Sequence, residues 1–301
     1  AGGLARRDRE RRRAAREAGA GEVVRRGMIR FLHVVLDLSR SSLLRDFRPS
    51  RREVMSNALQ RFVREFFDQN PLSQLAITVT RNGVAETLTE LSSSPEAHVA
   101  KVKGLSNDPG GAASLQNALE VAVEGLRHVP PYGHRECLLL FSSLTVCDPG
   151  DVKGAIQAAK LQNVRCSVVG LGAEVFVLRR LADATGGLYG VPTSEGHLVE
   201  LLMGHATAPP TCEEEAPASL VQMGFPQHAQ GDSFTLVGQD CVPSLSSFVC
   251  PRCKGRSSEL PCECHICGLS LVSSAHLARS YHHLFPPPDY AEDPGGASGG
   301  E

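Results

Sequence analysis

The first 136 residues of this 301-residue chain contain no cysteine. Disulfide scaffolds of secreted proteins are short and cysteine-dense throughout, so that class is excluded. No run of about 18 apolar residues occurs, and no membrane-spanning helix is expected. The N-terminal stretch lacks the apolar centre of a signal peptide, so no secretory leader is expected either. Charge of neither sign is in excess: 31 Lys and Arg oppose 33 Asp and Glu, a formal net charge of −2. No global field gathers nucleic acid or anionic lipid, and any such contact needs a local patch. Also missing are GxxxxGK(S/T), HExxH and GxSxG, the signatures of a phosphate loop, a catalytic zinc helix and a nucleophile elbow. Catalysis is not expected.

What is present is a chain with 42% hydrophobic residues, enough for a sizeable core, and a length that favours two domains. Its ten cysteines are unevenly spread. Five fall between Cys250 and Cys267, with Cys241 just before them. This clustering points to a reducing compartment and a metal site.

Hydropathy patterning divides the chain. Residues 1–27 form a basic, Ala-rich arm. IRFLHVVLDLS, starting at Ile29, reads as a buried strand. Val54, Ala58, Leu59, Phe62, Val63 and Phe66 recur at spacings of three and four and predict a helix over 51–67. LAITVT (75–80) is a second strand, and Asn82-Gly83 signals a tight turn into a short antiparallel strand. Helices over about 95–103, 114–127, 151–162, 174–185 and 196–204 alternate with apolar strands near 136–143, 164–172 and 188–192. Alternation through residue 205 predicts an α/β domain (28–205), a doubly wound, mostly parallel, Rossmann-like sheet covered on both faces. Residues 206–244 read as a linker with the acidic triplet Glu213–Glu215. A small module follows over 245–286, then a tail of disordered composition, 287–301.

The module carries Cys250-x-x-Cys253, ten residues, then Cys264-x-x-Cys267. Two such knuckles converge four thiolates into a tetrahedral site that suits a structural Zn²⁺ and leaves no open position for catalysis. Gly255 and Gly268 allow backbone N–H groups to approach the sulfurs. Cys262 breaks the knuckle spacing and is read as a bystander. His265, His276, His282 and His283 are not needed as ligands. His98, His128, His134 and His205 read as residues of loops and helix ends.

At the end of the first strand stand Asp37, Ser39 and Ser41. Open α/β sheets bind ligands outside the carboxyl ends of their strands, and this trio could face a hard cation there. Strand, DLSRS and helix start together resemble the von Willebrand A-type domain and its metal-dependent adhesion loop. The resemblance is incomplete. Ala112, Ala113 and Ser114 occupy the region where that family places a Thr, and Ser142 and Ser143 the region of its second Asp. With one carboxylate, Mg²⁺ binding is not expected.

A more specific resemblance rests on FFDQNPLSQLAITVT, LTELSSSP, FSSLTVCDP, RCSVVGLGAEV, TGGLYGV, LVQMGFPQ and CHICGLSLVSSAHLARSYHHLFP. These resemble the von Willebrand A- and zinc-bearing core subunits of the general transcription factor TFIIH, over roughly residues 23–290. The resemblance implies a non-catalytic nuclear protein whose A-type domain binds and stimulates an XPD-family DNA helicase. Its zinc module would contact a second A-type-domain subunit, among other core subunits. It implies roles in nucleotide excision repair and in initiation by RNA polymerase II, with no membrane contact and only indirect contact with DNA. Family members continue into a RING-like module, and no cysteine follows Cys267 here, so functions of that module are not carried over. The alternative reading is a metal-dependent A-type adhesion protein or a ubiquitin-receptor-like interaction protein.

Overall fold

The computed structural model of the chain describes residues 29–105, 110–130, 133–209, 221–238 and 241–284. The expected basic arm, the acidic triplet and the tail lie outside the described residues. The first strand, β1 (Arg30–Asp37), is buried along its whole length, as an apolar run flanked on both faces must be. It lies at the centre of a six-stranded sheet. With β2 (Gln74–Arg81), β3 (Val84–Ser92), β4 (His134–Phe141), β5 (Arg165–Gly170) and the two-residue β6 (Tyr189–Gly190), the order is β3-β2-β1-β4-β5-β6. All neighbours run parallel except β2 and β3, which form the hairpin expected at Asn82-Gly83. The doubly wound, mostly parallel α/β expectation of the von Willebrand A-type is met.

Side chains alternate across a strand, so β1 feeds two cores. Leu32, Val34 and Leu36 point towards α1 (Arg51–Gln69), α2 (Pro95–Lys103) and α6 (Glu195–Ala206). Phe31 and Val35 point towards α3 (Leu115–Gly125), α4 (Val152–Leu161) and α5 (Phe176–Thr185). α1 supplies the largest share of the first core through Phe62, Val63, Phe66 and Phe67, and it starts cleanly because the Ser50 hydroxyl accepts from the Glu53 N–H.

A buried polar knot fastens the amino-terminal edge of this sheet. Arg30 is 1% exposed. Its Nε and Nη2 donate to the Glu136 carboxylate at 2.6 and 2.9 Å, while Nη1 and Nη2 donate to the carbonyls of Ala206 and His205 at 2.7 and 2.8 Å. The guanidinium therefore pairs a charge on β4 and also caps the C-terminal carbonyls of α6, where a cation is favoured. The Phe66 ring lies 4.9 Å from it.

Two histidines are sealed in the cores. His33 bonds the Thr78 hydroxyl through Nε2 at 2.7 Å, and its Nδ1 has no partner. His98, expected in a loop or at a helix end, lies in the first turn of α2 and is fully buried. It is held by Thr89 and Ser92 at 2.8 and 3.0 Å and stacked on Phe67. Its helix lies under the β3 edge, a placement that depends on distant pairing. Burial lowers both from 6.5 to about 4. Between those values the unfolded chain binds more protons than the folded one, so stability is complete above about pH 7 and falls as pH drops from 6.5 towards 4. Urea unfolding should show a loss of about 3 kcal/mol from these two sites between about pH 7.5 and about pH 5.5. Burial likewise lowers His205 at the end of α6 to about 4, so His33→Gln and His98→Gln should each flatten the measured dependence by about a third. Equal slopes for variants and parent would show that the buried rings do not set it.

Beyond the sheet, the stretch expected as a linker to residue 244 is a linker only in part. Met223–Gly224 forms β7, and Gln227–Val237 (β8) pairs antiparallel with Val242–Val249 (β9). The short strands β10 (Arg256–Ser257), β11 (Cys262–Glu263) and β12 (Ser270–Leu271) complete two small three-stranded sheets, and α7 (Ser274–Leu284) closes the described chain.

Candidate metal centre and the carboxyl edge of the sheet

The two Cys-x-x-Cys segments fold as copies of one turn. In the first, the Lys254 N–H donates to the Cys250 carbonyl at 3.0 Å, and the Cys250 N–H to the Gly255 carbonyl at 2.8 Å. In the second, the Gly268 N–H donates to the Cys264 carbonyl at 2.8 Å, and the Cys264 N–H to the Leu269 carbonyl at 3.0 Å. Both turns need a left-handed residue at the fourth position after the first cysteine. Gly268 supplies it with φ 66° and Lys254 with φ 63°. The conformational partner of Gly268 is thus Lys254, which the sequence did not reveal. Gly255 serves differently. Its N–H points at the Cys253 sulfur at 3.4 Å, and a Cβ there would lie 3.2 and 3.4 Å from the sulfurs of Cys253 and Cys264.

The folded turns bring the sulfurs of Cys250, Cys253, Cys264 and Cys267 all within 4.8 Å of one another. Cys250 and Cys267 approach to 3.7 Å and Cys253 and Cys264 to 3.4 Å. Burial raises the Cys250 thiol, but the N–H groups of Cys253 and Arg252 outweigh it and bring it to about 7. The Gly255 N–H lowers Cys253, yet burial and proton sharing with the other three thiols push it up to about 12. Four thiolates this close together repel one another, and a cation among them removes that repulsion. The donor set is soft, paired and closed, and it fits Zn²⁺. The surrounding core is small: Cys250, Cys262, Cys264, Leu269 and Leu271, three of them cysteines.

Among the other candidates, Cys262 is buried on β11 and its thiol is raised to about 11 by burial. It stands outside the four-sulfur group, as do His265 and His276. The module is also tethered to the α/β domain. Glu263 meets Gln74, Glu259 meets the hydroxyl of Ser94 ahead of α2, and Arg279 on α7 pairs with Asp68 on α1 at 3.1 Å. None of these polar tethers has a local sequence signature.

At the carboxyl edge of the sheet, Asp37 is fully buried. One oxygen accepts the Ser39 N–H at 2.8 Å, and the other accepts the N–H groups of Ser142 and Ser143, each at 2.8 Å. The Ser39 and Ser143 hydroxyls bond each other at 2.6 Å. Ser41 only offers its carbonyl to the turn, accepting from the Leu44 N–H at 3.3 Å. The trio seen in sequence is thus split. Asp37 and Ser39 join the ends of β1 and β4, and Ser41 stays apart. Arg51, held by Asp46, places a guanidinium nitrogen 2.8 Å from the Ser142 carbonyl. This fixed positive charge and the saturated carboxylate leave a divalent cation little to bind.

Comparison with known proteins adds the following. The Ssl1-like family model matches residues 35–226, and that of the GTF2H2 zinc ribbon domain matches residues 247–280. The chain is 50% identical over 287 residues to General transcription factor IIH subunit 2 of Arabidopsis thaliana, covering 95% of this chain and 68% of that protein. It is 42% identical over 281 residues to General transcription and DNA repair factor IIH subunit ssl1 of Schizosaccharomyces pombe, covering 91% and 66%. The chain therefore spans about two thirds of the length of these relatives. Among solved structures, proximal thread matrix protein 1 from the mussel byssus superposes with a TM-score of 0.51 at 16% identity, over 61% of this chain and 48% of that one. That likeness concerns the fold alone.

Proposed function

Since the chain belongs to the Ssl1-like family, the subunit 2 proteins of general transcription factor IIH, we propose that it acts as a non-catalytic core subunit of that factor in the nucleus. It serves transcription initiation and nucleotide excision repair. Cys250, Cys253, Cys264 and Cys267 hold one structural Zn²⁺, which fixes a module that docks a second A-type-domain subunit. The domain over 28–205 binds and stimulates an XPD-family helicase, so its contact with DNA is indirect.

The observation that carries the helicase reading is the character of the carboxyl edge. Leu44, Leu144 and Val146 lie in the connections after β1 and β4, and Phe176 heads α5 after β5, with Leu144 58% and Phe176 75% exposed. Apolar side chains grouped on a rigid edge are the material of interface hot spots. The metal-dependent alternative would require Asp37 to give up three N–H donors.

The test is a pull-down of the purified chain with an XPD-family helicase, followed by the helicase's DNA-stimulated ATPase rate. Binding with a raised rate is expected. Leu144→Asp should weaken binding by about tenfold or more, on the scale of a buried apolar anchor, while thermal unfolding stays unchanged. Folded, zinc-loaded protein that neither binds nor stimulates would overturn the reading.

A further inference from the structure

The segment that joins β1 to the first turn of α1 is the most arginine-rich part of the described chain, and the helicase reading uses only its Leu44 and none of its arginines. It contains Arg40, Arg45, Arg48, Arg51 and Arg52 within thirteen residues, set against Asp46 and, one position further on, Glu53. The charges are not spread evenly. Asp46 is taken by Arg51, with oxygen–nitrogen distances of 2.7, 3.0 and 2.5 Å. That pair turns towards Ser142 and the sheet. Arg45, Arg48 and Arg52 instead line a half-open pocket of about 980 Å³ with Leu43, Pro49, Ser50 and Glu53.

Arg45 and Arg48 against the single carboxylate of Glu53 leave the pocket net positive. Arg45 and Arg48 are exposed and make no ion pair among the described residues, whereas Arg52 is 5% exposed and forms part of the wall. The pocket also opens at the amino end of α1, a helix of 19 residues, whose dipole adds to the same sign. Leu43 and Pro49 give it an apolar side that charge alone would not need.

We infer that this pocket is an oxyanion-recognition site for a phosphorylated side chain on a partner protein. Planar guanidinium groups bind phosphate oxygens in pairs, and an arginine cluster is a recurring way of reading a phosphoserine. The shape favours a peptide over a nucleic-acid backbone. The positive groups converge in one concavity and do not form a stripe that could follow successive phosphates. The apolar wall suits the Cβ and neighbouring side chain of a single modified residue. A chain whose net charge is −2 provides no long-range field to collect DNA at this face.

The test uses the full zinc-loaded chain with nitrogen-15-labelled arginine. It is titrated with a capped pentapeptide carrying one phosphoserine, the same peptide with unmodified serine, inorganic phosphate and a short oligothymidylate. The phosphoserine peptide should shift the side-chain N–H resonances of Arg45 and Arg48 saturably. Inorganic phosphate should move the same resonances more weakly, and the unmodified peptide should not. The double variant Arg45→Gln, Arg48→Gln should bind the phosphopeptide about tenfold or more weakly, as expected for two charge-assisted contacts. Arg64→Gln, on the far side of α1 and paired with Glu96, should bind as the parent does. Absence of a saturable shift, or a double variant that binds like the parent, would overturn the site. Tighter binding of oligothymidylate at these same arginines would overturn the peptide assignment and transfer the pocket to nucleic acid. Helicase binding is read separately, so its failure leaves this outcome untouched.

Discussion

Stripped of zinc by a strong chelator, the chain should lose its amide-exchange protection from β8 through β12 while the six-stranded sheet keeps its own. The reason lies in what holds the module together. Its buried cluster consists of three cysteines and two leucines, far too little apolar area to offset the conformational entropy of ordering some forty residues. Metal binding must provide the difference, and structural zinc in small modules contributes on the order of 10–16 kcal/mol. Cys264→Ser should act like the chelator, because it removes one of the four sulfurs while leaving the backbone hydrogen bonds of its turn in place. Elemental analysis should find one zinc per parent chain and none in the variant. A module that remained protected without metal would show that β8–β9 pairing and the contacts to α1 suffice, and the structural-zinc reading would fail.

Glu136→Gln should destabilise the α/β domain by about 3–5 kcal/mol, the scale for removing one partner of a buried ion pair. Burial alone would raise the Glu136 carboxyl, but the charge and hydrogen bonds of Arg30 more than reverse this and hold it lowered. The substitution keeps the shape and removes the charge, leaving the Arg30 cation facing only carbonyls and the Phe66 ring. The loss should appear as a lower urea midpoint with an unchanged slope. Replacing both members, Arg30→Met with Glu136→Leu, should recover part of it, because no uncompensated charge then remains. If the single substitution cost less than about 1 kcal/mol, water would have to reach the pair, contrary to its burial.

Where the sequence was legible, local physics was enough. β1 is an apolar run because both of its faces are covered, and α1 is periodic because one of its faces is. Asn82 and Gly83 adopt φ of 53° and 75°, the left-handed pair that a two-residue hairpin needs. The cysteine spacing located the four sulfurs because both turns are built within six residues. Features that depend on distant chain were hidden. QHAQGDSFTLV has no clean apolar alternation, and β8 exists because β9 pairs with it across a register shift. The partners of Arg30 are hidden until Glu136, 106 positions away, and the end of α6 close around it. The Asp37 loop was visible as a motif, but its role was not. Only the fold shows that the serines after β4 present N–H groups in place of a carboxylate.

That clamp has a consequence for timing. A dock built around an exchangeable ion has two states and must wait for the ion before it can engage. Here the atoms that would wait are already bonded to the chain. On the proposed reading the carboxyl edge is in its final shape as soon as the domain has folded, and helicase binding should not change when the Mg²⁺ concentration does.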